Sequence, residues 1–141
     1  MGLEQAKKHT PLVPTYAIRI FSGCPEENEY YRLLRYSKNY ISVRNYVFDD
    51  IDDPKFKDEN KKVFKIFDLE EARLIMSDFD EKRKECLELI VHCKYGNGRS
   101  PAVAAALNDI FELGEETWRL FALYPKMNQL VYERMMEVGR R

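Results

Sequence analysis

The sequence has few cysteines and no closely spaced pair of them. Its three cysteines, Cys24, Cys86 and Cys93, form no C-x-x-C motif. Disulfide-stabilised secreted domains and structural zinc sites both use larger, closely spaced cysteine sets. A disulfide framework and a structural zinc site are therefore not expected. Each cysteine is then either a packed core residue or a chemically active one.

Long apolar runs and an excess of one charge are also missing. The longest apolar runs span only a few residues, and the first ten residues show no signal-peptide pattern. Lys and Arg together number 23 against 24 for Asp and Glu, which gives a net charge of −1. General nucleic-acid binding needs a basic excess to neutralise phosphates. We therefore expect a cytoplasmic protein that binds neither nucleic acid nor a membrane.

The composition that remains is typical of one packed domain. The 141 residues match the usual length of a single domain, and 45% of them are hydrophobic and 13% aromatic. No internal repeat or low-complexity tract interrupts the chain. We therefore expect residues 1–141 to form one domain.

Apolar periodicity and turn residues predict an α/β fold with the last strand central. The strands are predicted at 16–21, 40–48 and 87–91, and the helices at 27–36, 69–79, 101–111, 115–123 and 127–138. Asp68 is the expected N-cap of the second helix, because its carboxylate can accept a hydrogen bond from Glu71 N. Residues 1–14 are predicted to lack regular structure, and residues 49–62 to form a charged loop.

The most informative stretch is His92-Cys93-Lys94-Tyr95-Gly96-Asn97-Gly98-Arg99-Ser100, between a buried strand and a helix. A strand end, a loop with two glycines and a helix start aim several backbone N–H groups at one small volume. Gly96 and Gly98 permit the tight curvature that this requires. The stretch therefore predicts a site for an anion with tetrahedral oxygens.

Four side chains bring chemistry to this loop. The field that attracts phosphate also stabilises a thiolate, so the pKa of Cys93 is expected below the ordinary value of ~8.5. The planar guanidinium of Arg99 can hold two phosphate oxygens at once. Ser100 can donate a hydrogen bond to the sulfur. His92 is expected to orient the loop rather than to act as a base, since a thiolate needs none.

The spacing from Cys93 to Arg99 resembles the C-x5-R signature of cysteine-dependent protein phosphatases, and the longer H-C-x-x-G-x-x-R-S pattern strengthens the resemblance. It is closest to the compact dual-specificity phosphatases and their small bacterial tyrosine-phosphatase-like relatives. The segment 124–128 resembles the family's Pro-x-x-Asn turn. The resemblance extends loosely over 40–139. It implies a central sheet flanked by helices, with the active-site loop between the last buried strand and a central helix.

The resemblance also implies a two-step phosphoryl transfer through a phosphocysteine on Cys93. A carboxylic acid would protonate the leaving oxygen and then, as a carboxylate, activate water. The substrate would be a phosphorylated protein or a small phosphomonoester, and neither a metal nor a cofactor is needed. The residues implied to bind the phosphate or shape its pocket are His92, Lys94, Tyr95, Gly96, Asn97, Gly98 and Arg99.

The general acid is not fixed by the sequence. The family places it on a loop after an upstream strand, which here contains Phe48-Asp49-Asp50-Ile51-Asp52-Asp53-Pro54. Asp50 is the first choice, because Asp-Ile at the end of a strand resembles the pattern of the bacterial relatives. Asp52 and Asp53 remain alternatives.

Two functions fit these residues. One is an active phosphomonoester hydrolase, and the other is a catalytically weak phosphate-binding pseudophosphatase that recognises phosphorylated partners. Cys93 and Arg99 together favour the hydrolase, because a binding module can lose the thiol and keep the loop. The sequence leaves open the choice among phosphotyrosine, phosphoserine or phosphothreonine, and small substrates. It also leaves open the oligomeric state and any redox role of Cys24, which we interpret as core filler.

Overall fold

The computed structural model describes residues 1–23, 28, 33–55 and 64–140. A short 3₁₀ turn lies at Arg83–Glu85. The helices and strands, in chain order, are α1 Leu3–Lys8, β1 Thr15–Phe21, β2 Tyr40–Val47, α2 Leu69–Lys82, β3 Glu88–His92, α3 Arg99–Phe111, α4 Thr117–Leu123 and α5 Gln129–Gly139.

The three strands form a parallel sheet in the order β2-β1-β3. Ile18 of β1 is aligned with Arg44 of β2 on one side and with Val91 of β3 on the other. The predicted strands are confirmed, but the predicted central position of the last strand is wrong. β1 is the central strand and is buried along almost its whole length, as expected for a parallel strand with neighbours on both sides.

A short N-terminal segment covers the outer edge of β3. Met1 N donates a hydrogen bond to Val91 O at 2.7 Å, and Cys93 N donates one to Met1 O at 3.2 Å. α1 follows directly and buries Leu3. The prediction that residues 1–14 lack regular structure is therefore wrong for α1. Its position depends on contacts with residues some ninety positions along the chain, which local periodicity does not report.

The core lies between the sheet and helices α2, α3 and α5. Tyr16, Ile18 and Ile20 alternate along β1, so their side chains share the face that packs on these helices. α3 is buried for most of its length, as predicted for a central helix. Asp68 caps α2 as predicted, with its carboxylate accepting from Glu71 N at 2.8 Å. The predicted helices corresponding to α2, α3, α4 and α5 are therefore all confirmed.

Two further predictions fall partly outside the described residues. Residues 33–36 of the predicted helix 27–36 form no helix, and Leu33 and Tyr36 are 90% and 92% exposed. No apolar face is buried there to stabilise a helix, so the prediction is wrong for this part. Residues 27 and 29–32 lie outside the description, as does Cys24. Residues 49–55 contain no helix or strand, as predicted for the charged loop, and 56–62 are again not described.

None of the helices in the described part of the chain is long and apolar enough to cross a membrane.

Candidate active site

The loop of residues 93–99, called the 93–99 loop below, connects the carboxyl end of β3 to the start of α3. Gly98 is the N-cap of α3 and has no side chain with which to cap the helix. The helix start therefore presents backbone N–H groups to the loop, with the positive end of its dipole. Gly96 has a φ of +79°, and a Cβ there would lie 2.3 Å from Gly2 N. Both the backbone conformation and the N-terminal segment thus require glycine at this position.

Cys93 is 2% exposed, and its sulfur faces hydrogen-bond donors of the loop. Gly96 N donates to Cys93 Sγ at 3.2 Å, and Ser100 Oγ lies 3.3 Å from the same sulfur. Burial is the largest single influence and raises the pKa of Cys93. The hydrogen bonds from Ser100 and Gly96 and the charge of Arg99 together outweigh it, so the pKa lies below its ordinary value. The site therefore favours a thiolate.

Arg99 is 5% exposed and is held from the loop after β2. Its Nη1 donates to Phe48 O at 2.9 Å. Its Nε is buried, and no atom of the described residues accepts the Nε hydrogen. A buried, unsatisfied donor on a permanent cation is costly. An anion oxygen bound in the 93–99 loop would satisfy it.

Ser100 Oγ lies between the sulfur and the N-terminal segment. It is 3.3 Å from Cys93 Sγ and 3.2 Å from Met1 O. A hydroxyl has one hydrogen to donate. With a Cys93 thiol, the S–H can donate to Ser100 and the Ser100 hydroxyl to Met1 O. With a thiolate, the same hydroxyl can rotate to stabilise the sulfur.

Asp50 lies against the 93–99 loop from the loop of residues 49–53, called the 49–53 loop below. Its Oδ1 accepts from Asn128 Nδ2 at 2.8 Å, and Asn128 N donates to Gly98 O at 3.1 Å. A Cβ on Gly98 would lie 2.4 Å from Asp50 Oδ2. The absence of a side chain at Gly98 therefore lets the carboxylate approach. Asp50, Asp52 and Asp53 are all exposed.

Asp49, the neighbour of Asp50, is a buried structural carboxylate. It accepts hydrogen bonds from Ser22 Oγ, from Gly23 N at 3.1 Å and from Lys65 N at 2.6 Å. These bonds join the residues that follow β1 to the residues that follow β2. Asp49 thereby fixes the start of the 49–53 loop, and with it the backbone of Asp50.

The remaining predicted phosphate-binding residues differ in exposure. Lys94 is half-buried, and its Nζ lies 5.3 Å from the centroid of the Tyr95 ring, which is 74% exposed. Asn97 is exposed at the rim. His92 is fully buried, and its Nδ1 lies 3.5 Å from Cys93 O.

Within the described ranges, no three His, Cys, Asp or Glu side chains lie close enough together to hold a metal ion. The site is made of one cysteine, one arginine, one carboxylate and backbone donors. That set can bind an anion, supply a nucleophile and transfer a proton.

Three residues near the site were missed as functional candidates. Asn128 lies in the Pro-x-x-Asn segment, and its position after a proline turn was the available signal. Arg19 is the one charged residue in the largely apolar strand β1, and a charge in a buried strand is itself a signal. Asp49 carries no local signal that separates it from Asp50.

Neither a family model nor a curated protein matches the chain. Among solved structures, the chain is similar to Tk-PTP in its active form, with a TM-score of 0.51 and 20% identity over 91% of this chain and 80% of that one. It is also similar to the human tyrosine phosphatase-like serine/threonine/tyrosine-interacting protein, with a TM-score of 0.47 and 14% identity over 91% of this chain and 77% of that one. The chain therefore shares the α/β fold of a tyrosine phosphatase, which confirms the predicted fold class.

Proposed function

We propose that this protein is a cysteine-dependent phosphomonoester hydrolase of the tyrosine or dual-specificity phosphatase type. One observation carries the proposal. The stabilised sulfur of Cys93 and the unsatisfied Nε of buried Arg99 belong to a single loop at a helix start. A nucleophile and an anion site are thus held together, which is what phosphoryl transfer requires.

In the first step, the Cys93 thiolate attacks phosphorus in line with the leaving oxygen. The S–P bond forms as the P–O bond to the leaving group breaks. Arg99 and the backbone N–H groups of the loop bind the equatorial phosphate oxygens and stabilise their charge. These donors are fixed before the substrate binds, so they need little reorganisation during the reaction.

Asp50 is the proposed general acid for the leaving oxygen. This role is supported by the position of the carboxylate against Gly98. Its Oδ1 accepts a hydrogen bond from Asn128, and its Oδ2 is directed at the 93–99 loop. A protonated Oδ2 gives its proton to the leaving alkoxide or phenoxide. The resulting carboxylate then takes a proton from the water that attacks the phosphocysteine.

Ser100 is proposed to assist the second step. When water displaces the sulfur, negative charge returns to Cys93. The Ser100 hydroxyl, 3.3 Å away, can turn from Met1 O to the sulfur and stabilise this charge. Inorganic phosphate and the Cys93 thiolate are the products, and the cycle is complete.

The proposed substrate is a phosphorylated protein or a small phosphomonoester, and a cytoplasmic location remains a prediction. Any of these substrates presents the same dianionic phosphate to the 93–99 loop. The leaving group distinguishes them, since a phenol leaves more easily than an aliphatic alcohol and depends less on Asp50.

Turnover of p-nitrophenyl phosphate by the wild type, Cys93→Ser and Cys86→Ser tests the proposal. We expect activity in the wild type and in Cys86→Ser, and none in Cys93→Ser. Cys86 is a matched control, because it is a free cysteine that precedes β3. Activity in Cys93→Ser would contradict the proposed nucleophile. An inactive wild type that still binds vanadate would favour the pseudophosphatase.

A second experiment tests the proposed acid. The pH dependence of kcat is measured for Asp50→Asn, Asp52→Asn and Asp53→Asn. We expect the fall of kcat at high pH to disappear in Asp50→Asn alone, because that limb reports the loss of the acid's proton. An intact basic limb in Asp50→Asn would exclude this residue.

A further inference from the structure

A charged residue lies under the 93–99 loop, in the centre of the sheet. Arg19 of β1 is 4% exposed, and the strand register places it opposite His92 of β3. Burial of a guanidinium is costly unless its N–H groups find acceptors. The acceptors that Arg19 finds within the sheet are therefore important for its stability there.

The contact between Arg19 and His92 determines where the imidazole carries its hydrogen. Arg19 Nε donates to His92 Nε2 at 2.8 Å. A guanidinium keeps its proton and can only donate, so His92 Nε2 must be the acceptor. The ring is then neutral, and its one N–H is on Nδ1. This Nδ1 is 3.5 Å from Cys93 O.

The surroundings of His92 keep the ring neutral. Burial and then the positive charge of Arg19 lower the pKa of His92 to about 4, against a smaller opposing effect of the Cys93 carbonyl. The ring is therefore uncharged at neutral pH. It holds one tautomer and cannot become an imidazolium that donates from both nitrogens.

We propose that Arg19 is a positioning residue for the nucleophile, because it fixes His92 as the Nδ1–H tautomer and so aims that hydrogen at the carbonyl of Cys93. The backbone of Cys93 is then restrained at both its N–H group and its carbonyl group. Cys93 N donates to Met1 O at 3.2 Å, and Cys93 O faces His92 Nδ1. A restrained peptide keeps the sulfur directed at Gly96 and Ser100. Arg19 acts through His92 and does not contact the substrate.

The tautomer is measured directly by two-dimensional ¹⁵N–¹H NMR of the histidine rings in the full chain. The chain has two histidines, so a His9→Gln variant assigns the signals of His92. We expect the Nδ1–H pattern in the wild type and in Arg19→Lys, which keeps a charged donor. In Arg19→Met, which has no donor, we expect the Nδ1–H pattern to be lost.

The same variants give a kinetic readout that rests on the proposed function. We expect Arg19→Met to lower kcat for p-nitrophenyl phosphate about tenfold, with a smaller change in KM. A tenfold loss is the size expected for one lost hydrogen bond to a charged group. Arg19→Lys should restore most of kcat. A purely structural role would lower the fraction of folded protein without changing the tautomer.

Two results would overturn the inference: an Nε2–H pattern in the wild type, or an Arg19→Met protein that keeps both the Nδ1–H pattern and kcat. If Arg19→Met does not fold, Arg19→Gln is measured in its place. The glutamine amide is a neutral donor, so we expect Arg19→Gln to keep the Nδ1–H pattern, and loss of this pattern in both Arg19→Gln and Arg19→Lys would contradict the inference. Failure of the proposed function is distinguishable, because activity in Cys93→Ser would leave the NMR result unaffected.

Discussion

The 93–99 loop and the 49–53 loop meet at the same edge of the sheet but are held by different kinds of contact. The sulfur of Cys93 is surrounded by partners three and seven positions along the chain, Gly96 and Ser100. Asp50 is held by Asn128, 78 positions away, and the preceding Asp49 by Ser22, 27 positions away. The hydrogen-bond partners of the Cys93 sulfur are local, although the backbone of Cys93 also contacts Met1. The Asp50 carboxylate, in contrast, is held by a residue distant in the chain.

This difference has a mechanistic consequence. The groups that contact the sulfur come from the loop itself and from the first turn of α3, so they come together when these two elements form. A carboxylate positioned by distant residues moves when any of them changes. We therefore expect changes within the 93–99 loop to affect nucleophile and phosphate binding, and changes around the 49–53 loop to affect proton transfer.

The largest effect should come from the local side of the comparison, in Arg99→Lys. A lysine keeps the charge but loses the planar pair of donors, so we expect kcat/KM for p-nitrophenyl phosphate to fall by about 1,000-fold. Arg119→Lys, at an exposed position of α4, is the control and should be unchanged. Equal kcat/KM in the two variants would show that Arg99 does not bind the phosphate.

Gly98→Ala tests the contact between the two loops. The φ of Gly98 is −116°, which an alanine can adopt, so the expected harm comes from the approach of Asp50. We expect kcat to fall about 100-fold, with loss of the basic limb as in Asp50→Asn. The double variant Gly98→Ala/Asp50→Asn should have a kcat no lower than that of either single variant. If the two losses of kcat multiplied in the double variant, Gly98 and Asp50 would act independently.

Ser100→Ala tests how much the Ser100 hydroxyl lowers the pKa of Cys93. The lost hydroxyl no longer stabilises the thiolate, so the pKa of Cys93 rises. Because the thiolate is the reactive form, kcat/KM increases with pH through this pKa, and its acidic limb should move to higher pH. Hydrolysis of the phosphocysteine should slow about tenfold, as expected for one hydrogen bond to a charged group.

The control for this prediction is Ser77→Ala, an exposed serine of α2. Its pH profile and single-turnover rates should match those of the wild type. An acidic limb that stays in place in Ser100→Ala would mean that the backbone donors and Arg99 alone set the pKa of Cys93.

The smallest effect is expected at Asn128, which has two separable roles. Its Oδ1 caps α5 by accepting from Val131 N at 3.0 Å, while its Nδ2 donates to Asp50. Asn128→Ser keeps a capping oxygen and loses the Nδ2 donor, so kcat should fall severalfold with stability near that of the wild type. Asn128→Ala loses both and should also lower the free energy of unfolding by about 1 kcal/mol.

Urea unfolding and steady-state kinetics of the two Asn128 variants check this separation. If Asn128→Ser retained full kcat, the position of Asp50 would not depend on this hydrogen bond. Asp50 would then not be held in place by a residue distant in the chain, and the contrast between the two loops would not hold.

The same contrast explains which parts of the site could be predicted. Cys93, Gly96, Arg99 and Ser100 are close in sequence, so their chemistry follows from spacing and from the strand and helix around them. Asp50 could be placed only among several aspartates, because the residue that holds it lies in another element. The role of Asn128 was not predicted for the same reason.

The fold shows this limit as well. The N-cap of α2 at Asp68 depends on neighbours and was predicted correctly. The edge position of β3 and the existence of α1 depend on long-range pairing, since Met1 lies against Val91 and Cys93. A sequence pattern reports how an element is buried, but not which strand lies beside it.

Covalent trapping of the intermediate tests the central claim that Cys93 is the nucleophile. Asp50→Asn is mixed with p-nitrophenyl phosphate, quenched in acid within one turnover, digested and analysed by mass spectrometry. We expect one phosphate on the peptide that contains Cys93, assigned to its sulfur by fragmentation. Phosphate on Ser100, or release of p-nitrophenol in a burst with no phosphorylated peptide, would contradict it.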